Sequence, residues 1–356
     1  MFKNLSNKNV KIVEKFKIFI AISLVILLAG VIMLFVKGMN VGIDFSGGAK
    51  VELQLSSFAG DSEIEKIIDE EVSKIFAENG LKKVGAVQTS PSEGGVTYEF
   101  RLSYYHNGDV KGAEAEAEFM GFIQGDLYDD TNNGVCGLIQ EKLEELAKNN
   151  QSFISLGATI EEDSVTAHTV GATASSTLLK NAGLALLIAV IAMLVYIIIR
   201  FKFTSALAAI VCLLHDVLIM TALTVIFQIP VNSTFIAAII TIVGYSINAT
   251  IVVFDRIREE RKFDLSNAKT NEEIANCSIM KTLGRSILTT LTTLLMVVFV
   301  AFMSVSTIRE FIVPILFGLI AGAFSSVFLA SSFWVIFEKL FARSKSKKLA
   351  KAKKAN

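Results

Sequence analysis

The stretch Gly244–Glu260 reads GYSINATIVVFDRIREE, and within it an uncharged run that begins at Pro230 changes abruptly into a dense mixed-charge segment. Such a change is how a membrane helix leaves the bilayer. Polar residues recur here at spacings of three, four and seven: Thr241, Tyr245, Asn248 and Asp255. They form one stripe on a helix, and we expect the stripe to face other helices because an unpaired polar group costs free energy in hydrocarbon.

Composition places the whole chain among membrane proteins. Of its 356 residues, 52% are hydrophobic and only 3 are proline, which is too apolar for an ordinary soluble protein of this length. The net charge of zero hides a partition, since residues 42–180 hold 24 acidic and 10 basic residues and the remainder holds the opposite excess. By the positive-inside rule, we expect the acidic segment outside the cell membrane and both termini in the cytoplasm.

Six uncharged runs are long enough to cross the hydrocarbon layer, which takes roughly 20 residues. We predict spans at 18–36, 181–199, 204–229, 231–254, 286–308 and 311–337, of which the last five form a bundle over 181–338. The other segments are a basic N-terminus (1–17), an outer domain (37–180), a cytoplasmic loop (255–285) and a basic tail (339–356). The first run lacks a cleavage pattern of small residues, so we interpret it as a retained anchor rather than a signal peptide.

The predicted fold class is a multi-pass α-helical membrane protein with a small α+β outer domain between its first two spans. We predict strands at 50–55, 83–89, 96–105 and 153–161 and helices at 61–79 and 137–148. This β-α-β-β-α-β order predicts a ferredoxin-like domain. The acidic insert 106–134 lacks EF-hand spacing, so we interpret it as a solvated loop rather than a calcium site. The acidic charge fits either a solvated surface or contact with an unfolded polypeptide.

A glycine-rich heptapeptide, Gly42-Ile43-Asp44-Phe45-Ser46-Gly47-Gly48, follows the first span directly. Its adjacent glycines stand before an alternating segment and predict a tight backbone turn that enters a strand. A phosphate-binding loop would need a Gly-Lys-Ser/Thr or Gly-x-Gly-x-x-Gly pattern, and the heptapeptide has neither.

Two motifs about 200 residues apart resemble the SecD/SecF family of protein-export membrane proteins, in the resistance-nodulation-division superfamily. The heptapeptide matches the family's Gly-Ile-Asp-Phe-x-Gly-Gly signature, and Ser246–Thr250 is similar to the fourth span of its SecF branch. One outer domain between the first two of six spans is also the SecF arrangement. The resemblance implies a non-enzymatic subunit of protein export that uses the proton motive force. Its implied partners are SecD, the SecYEG channel, YajC and unfolded exported polypeptides.

The chain departs from the family at Ala249, where SecF proteins generally carry the intramembrane Asp credited with proton movement. Alanine cannot bind a proton, and the neighbouring Asn248 and Thr250 form hydrogen bonds but do not titrate. We predict that the driving site lies mainly on SecD, with Asp216 contributing from this chain. Sodium coupling through Asn248, Thr250 and backbone carbonyls is the alternative. Arg285 matches the Arg that the family places near its relay.

Asp216 lies 12 residues into the third predicted span, hence near the middle of the membrane. An ionised Asp there costs about 2.5–3.5 kcal/mol on insertion scales, so it must be protonated, paired or next to water. It is either part of a proton or ion relay with His215 or a protonated residue that only joins helices. Because adjacent residues point about 100° apart around a helix, we do not expect His215 to be its direct partner.

Charged residues at the inner boundary have two interpretations. Asp255 and Arg256 are either topology anchors or gating residues, and the spacing of Arg256 and Glu260 predicts an exposed ion pair. Arg285 could pair with Asp255 or with a deeper carboxylate. In the sixth span, Gly318 and Gly322 predict close helix packing.

Two other classes of function compete with protein export. Six spans are also half of a small-molecule efflux permease, which would need a second half and usually two outer domains. An intramembrane hydrolase would show Gly-x-Ser-x-Gly, His-Glu-x-x-His or paired span-centred Asp residues, and the sequence has none of these. The 3 cysteines predict no disulfide or metal cluster. We expect no cofactor, no metal and no nucleic-acid partner, but contact with membrane lipid.

Overall fold

A computed structural model describes residues 11–56, 62–85, 87–92, 95–103, 113–125, 134–156, 164–264, 268–303 and 306–355. Most of the basic N-terminus and parts of the acidic insert, residues 104–112 and 126–133, lie outside these ranges.

Long apolar helices make up most of the described chain. They are α1 (Phe16–Lys37), α7 (Ala172–Arg200), α8 (Phe203–Ile226), α9 (Ser233–Phe263), α10 (Asn271–Met303), α11 (Ser306–Phe324) and α12 (Ala330–Ala355). A π-helical turn, Ser325–Leu329, joins α11 to α12 without a break, so residues 308–343 form one candidate span. Within the described residues there are six helices long and apolar enough to cross a membrane, so the chain is a multi-pass membrane protein.

Two helices run beyond the apolar segments that predicted them. The helix α9 continues past Phe254 to Phe263, and α10 begins at Asn271 rather than near Ser286. The segment 255–285 is therefore mostly helical, and only 264–270 connects the two helices. Charged residues can continue a helix into water, where side-chain pairs at i, i+3 and i, i+4 support it, as Arg256 does with Glu259 and Glu260.

A four-stranded antiparallel sheet lies between α1 and α7 in sequence. Its strands are β1 (Gly48–Ser56), β2 (Gln88–Ser92), β3 (Gly95–Ser103) and β4 (Val165–Val170), in the spatial order β2-β3-β1-β4. Its helices are α2 (Ile43–Ser46), α3 (Ser62–Glu78), α4 (Ala113–Gln124), α5 (Gly134–Asn149) and α6 (Gln151–Leu156). In the register, Val51 of β1 lies opposite Phe100 of β3 and Ala167 of β4.

Two of the predicted strands differ from the structure. The second was predicted at 83–89, but β2 spans Gln88–Ser92 and Lys83 forms an isolated bridge with Leu102. The last predicted strand, at 153–161, was wrong. Residues 151–156 form α6, residues 157–161 lie outside the described chain, and the strand that pairs with β1 is Val165–Val170. A short apolar run such as the one around Phe153 suits a helix or a strand equally, and here Phe153 is fully buried in the core below the sheet.

The acidic insert also differs from its prediction as a solvated loop. Residues 113–124 form α4, which buries Phe119 and Ile123 in the same core. The apolar side chains of α4 therefore outweigh the acidic ones that suggested a loop.

The two faces of the sheet meet different surroundings. Alternate residues of β1 (Ala49, Val51, Leu53 and Leu55) are fully buried against α3 and α5. The other face carries Lys50 of β1 and Glu99 and Arg101 of β3, and it lies toward the ends of α9 and α11. The sheet thus has an apolar core on one side and a charged junction with the membrane bundle on the other.

Leu53→Ala tests the register of β1. Because Leu53 is fully buried, we expect the substitution to cost about 2–5 kcal/mol, the range for large-to-small changes in a core. Faster amide hydrogen exchange in β1 and β3 of the full chain would measure the loss. The exposed neighbour Gln54→Ala is the control, and equal exchange in the two variants would contradict this register.

Candidate functional site

A fully buried carboxylate lies at the centre of the helix bundle. Asp216 of α8 has an exposure of 0%, and its Oδ2 accepts two hydrogen bonds. Ser246 Oγ of α9 donates one at 2.5 Å, and Ser325 Oγ of the π-helical turn donates the other at 2.7 Å. Three elements of the bundle therefore meet at this one side chain, as a buried polar group requires.

His215 is a direct partner of Asp216, so the prediction that it would not be was wrong. Its Nδ1 lies 2.8 Å from Asp216 Oδ1, and its Nε2 lies 2.8 Å from Ser23 Oγ of α1. Its ring stacks on Phe324 with centroids 6.4 Å apart. The 100° between adjacent residues separates their Cβ directions, but the imidazole is long enough to turn its Nδ1 back to the neighbouring carboxylate.

Close helix contact makes these hydrogen bonds possible. A Cβ added to Gly318 would lie 2.5 Å from Ile242 Cγ1, and one added to Gly322 would lie 3.4 Å from Ser246 Cβ and 3.6 Å from Asp216 Oδ2. The predicted packing role of both glycines is confirmed. A π-helical turn is a wide turn often found at functional sites, and here it begins with Ser325, which bonds to Asp216.

The predicted polar stripe of α9 faces away from this network. Tyr245 is 47% exposed and Asn248 is also exposed, whereas Ser246 and Thr250 are buried on the other side of the helix. The expectation that the stripe packs against other helices is therefore wrong within this chain. The face that α9 buries is set by its tight contact with α8 and α11, which only small or apolar side chains permit.

The stripe instead borders a lateral cleft between α9, α10 and α11. This cleft is lined by Tyr245, Asn248, Ala249, Arg285, Thr289, Thr293, Gly318 and Gly322, among others. Ser246 belongs to both sites, because it lines the cleft and also donates to Asp216. Asn248 and Arg285 therefore lie at one cleft, and Thr250 does not line it. The hydroxyl of Ser246 connects this cleft to Asp216.

At the charged end of α9, the predicted boundary residues pair among themselves. Asp255 Oδ1 lies 3.1 Å from Arg258 Nη2 and 3.8 Å from Arg200 Nη2, so its described partners are these two arginines rather than Arg285. Arg256 contacts Glu259 at 2.6 Å and Glu260 at 3.0 Å.

Glu260 is the buried centre of a group of ion pairs, so the prediction of an exposed ion pair was wrong for this residue. Its exposure is 3%, and Lys281 Nζ of α10 approaches its Oε1 at 2.5 Å while Arg256 holds the same oxygen. The i, i+4 spacing from Arg256 indicated that Glu260 forms an ion pair. The contact with Lys281 joins α9 to α10, and sequence spacing does not show which helices lie side by side.

The glycine-rich heptapeptide connects α1 and the sheet to the N-terminal end of α9. Gly42 N donates to Val231 O at 2.9 Å, and a Cβ at Gly42 would lie 2.9 Å from Asn232 Cβ. Asp44 Oδ2 accepts from the Ser233 amide at 2.9 Å and from its hydroxyl, at the first turn of α9. Gly47 ends α2 with φ +69°, and β1 starts at Gly48 with φ +129°, which confirms the predicted tight turn.

A charged junction fastens the sheet to the same end of the bundle. Arg101 donates to Glu99 at 2.9 Å and to Asn40 at 2.7 Å, and its Nη2 lies 3.8 Å from Glu310 of α11. Asn232 donates to Glu310 Oε2 at 2.6 Å. These residues are far apart in the sequence, so no local pattern predicted the junction.

Lys50 completes the charge balance of this junction. Burial acts to lower the pKa of Lys50, but the carboxylates of Glu99 and Glu52 outweigh burial and hold the pKa above its ordinary value. Lys50 therefore stays charged at neutral pH, and on the alkaline side its ion pairs weaken when the pH rises through that raised pKa.

Comparisons with known proteins cover nearly the whole chain. A family model described as "Protein export membrane protein SecD/SecF, C-terminal" matches residues 151–340, and one for the "SecD/SecF GG Motif" matches residues 32–57. A protein translocase subunit SecF of Alicyclobacillus acidocaldarius is 32% identical over 341 residues, 93% of this chain and 92% of that protein. The SecF of Calditerrivibrio nitroreducens is 30% identical over 95% of this chain and 97% of its own length.

Two longer proteins are also similar. The SecDF protein of Bacillus subtilis is 32% identical over 90% of this chain, but the match covers 37% of that protein. The crystal structure of SecDF from Thermus thermophilus, described as a translocon-associated membrane protein, matches with a TM-score of 0.69 and 26% identity. That match covers 94% of this chain and 39% of the SecDF chain, so this chain spans about two-fifths of it.

Gly318→Ala tests the helix contact that positions Ser246 against Asp216. The added methyl group would meet Ile242, and we expect overpacking to cost about 1–3 kcal/mol, measured by thermal unfolding of the purified protein. Combining it with Ile242→Ala should remove the clash. Gly183→Ala in α7 is the matched control, because nothing lies within 4 Å of a Cβ there. Equal stability of the two single variants would contradict a tight contact.

Proposed function

Because the chain belongs to the SecD/SecF family of protein-export membrane proteins, we propose that it acts as the SecF subunit of a protein translocase. In this role it works with SecD to promote the export of unfolded polypeptides across the bacterial cell membrane. The observation that supports this most directly is its near full-length similarity to proteins named protein translocase subunit SecF. It acts as a transport subunit rather than an enzyme.

The proposed partner is SecD, held against the lateral cleft. In Bacillus subtilis and Thermus thermophilus, a region similar to this chain is part of a longer SecDF protein. Tyr245 and Asn248 are exposed beside Arg285, an arrangement that suits a polar or acidic side chain on a helix of a second polypeptide. SecYEG and YajC complete the proposed set of protein partners.

The proposed driving force is a proton gradient, with Asp216 as the contribution of this chain. Ala249 lines the cleft without a titratable group, so a carboxylate facing it must come from the partner. Sodium coupling has less support, because Asn248 is exposed in the cleft while Thr250 is buried on another face of α9. Their oxygens do not converge on one cation.

The proposed orientation puts the sheet outside the cell and both termini in the cytoplasm. The acidic excess of residues 42–180 and the basic residues at the opposite ends of the helices, such as Arg200 and Lys202, support it. We interpret the outer unit as ferredoxin-like, which the strand order β2-β3-β1-β4 and the split β-α-β connections support. Its proposed role is to contact the emerging polypeptide.

Co-purification tests the assignment to protein export. A tagged full chain extracted in mild detergent should retain SecD and SecYEG. A self-associated chain that retains neither would contradict the proposal and would favour a small-molecule efflux permease.

Asp216→Asn tests the proposed proton coupling. The amide keeps the shape of the carboxylate but cannot release a proton, so we expect proton flux and export in inverted membrane vesicles to fall to the level of vesicles without this chain. Asp264→Asn, in the connection between α9 and α10, is the control and should leave both rates unchanged. Normal flux in Asp216→Asn vesicles would remove Asp216 from the mechanism.

A further inference from the structure

A line of polar contacts crosses the bundle from α9 to α1. Ser246 and Ser325 donate to one oxygen of Asp216, the other oxygen faces His215, and His215 reaches Ser23 on the first helix. Ser23 is 3% exposed and is the only hydroxyl residue in α1, a helix that otherwise exposes large apolar side chains. Both nitrogens of His215 are therefore occupied, one by a carboxylate and one by a hydroxyl.

The described surroundings leave His215 and Asp216 as an isolated titratable pair. Facing the imidazole are Ser23 from α1 and the uncharged ring of Phe324 from α11. The thiol of Cys212 lies one turn away in α8 and is fully buried. Among the residues that the structure describes, the ion pair of His215 is with Asp216, so the protons of this pair can be counted from its hydrogen bonds.

When the pair is neutral overall, every polar atom has a partner. One proton lies between Nδ1 and Asp216 Oδ1, and a second, on Nε2, is donated to Ser23 Oγ. The Ser23 hydroxyl is then free to donate to Phe19 O of its own helix, at 3.3 Å. Asp216 Oδ2 accepts hydrogen bonds from Ser246 and Ser325 whether the shared proton lies on Oδ1 or on Nδ1. The shared proton can therefore move between Oδ1 and Nδ1 while the heavier atoms stay in place.

When the pair loses one proton, the same heavy-atom positions still satisfy every group. The proton between Nδ1 and Oδ1 stays, because two serine hydroxyls and one N–H stabilise the carboxylate. Nε2 becomes an acceptor, and Ser23 can donate to it in place of the longer bond to Phe19 O. The protonation change is thus confined to the end of the line at α1.

We propose that His215 Nε2 is the atom at which this site gains and loses its proton, and that Ser23 of α1 relays that proton. The inference deepens the proposed proton coupling and rests on it for its role in export. In the releasing step, the Nε2 proton moves to Ser23 Oγ while the hydrogen that Ser23 carried passes to a water molecule. The new hydroxyl hydrogen already points at Nε2. In this chain the proton therefore enters and leaves the site next to α1 rather than at the lateral cleft.

The tautomer of His215 tests the proposal without an export assay. The chain has 3 histidines, so ¹⁵N-histidine labelling of a full-length His106→Gln, His168→Gln variant in lipid nanodiscs leaves one imidazole to observe by NMR. As the pH rises, we expect Nε2 to lose its proton and the remaining proton to lie on Nδ1 at the end of the titration. If His215 carries that remaining proton on Nε2 after the pair has lost one proton, the proposal is overturned.

Ser23→Ala gives the second spectroscopic result. Removing the hydroxyl should shift the Nε2 resonance and leave the Nδ1 resonance nearly in place. The matched control is Ser332→Ala, a buried serine that donates to Phe328 O of its own helical turn at 3.1 Å, and it should shift neither resonance. An unshifted Nε2 resonance in Ser23→Ala would overturn the contact.

Proton flux tests the relay step itself. In vesicles that contain the complete translocase, Ser23→Ala should lower flux to the level of Asp216→Asn, while Ser23→Thr, which keeps a hydroxyl, should restore it. Normal flux in Ser23→Ala, or an equal loss in Ser332→Ala, would overturn the relay. If the wild-type chain supports no proton flux, the proposed proton coupling is wrong. The NMR titration tests the tautomer of His215 independently of that result.

Discussion

A carboxylate held out of water in the middle of a membrane bundle is the constraint on which the rest of this structure depends. Asp216 needs donors within hydrogen-bonding distance, and the bilayer interior supplies none, so the protein must bring them from other helices. Ser246 and Ser325 meet this need, and close contact of α9 with α11 at Gly318 and Gly322 holds their helices together beside Asp216. The packing of the helices and the chemistry of the site are therefore one requirement.

The bundle separates two polar regions that the family resemblance would combine. Asp216 and His215 lie in a closed network with buried serines, while Asn248, Ala249 and Arg285 line an open cleft on the side of the bundle. Ser246 contacts both regions. The absence of a carboxylate at Ala249 leaves the buried network around Asp216 intact, which is consistent with the proposed division of a proton pathway between this chain and a partner.

Contacts at the N-terminal end of α9 give the glycine-rich signature a structural role. Gly42 permits close backbone contact with the turn before α9, and Asp44 accepts hydrogen bonds from the first residues of that helix. Arg101 and Glu310 add an ionic contact between the sheet and α11. The sheet is thus attached to α9 and α11, the helices that also contact Asp216, so a displacement of either helix would reach the sheet through these contacts.

The sequence by itself determined the membrane class, the six spans, two of the four strands, the signature turn and the need of Asp216 for polar partners within its span. These features depend on local hydrophobicity, on short-range periodicity or on the cost of one charged group in hydrocarbon, which neighbouring residues suffice to reveal. Only the tertiary structure decided that Ser23 meets His215, that Tyr245 and Asn248 face outward, that Glu260 is buried, and that β4 is Val165–Val170. Each of these depends on which helix or strand edge lies alongside another, and that choice is made by packing between segments up to 192 residues apart.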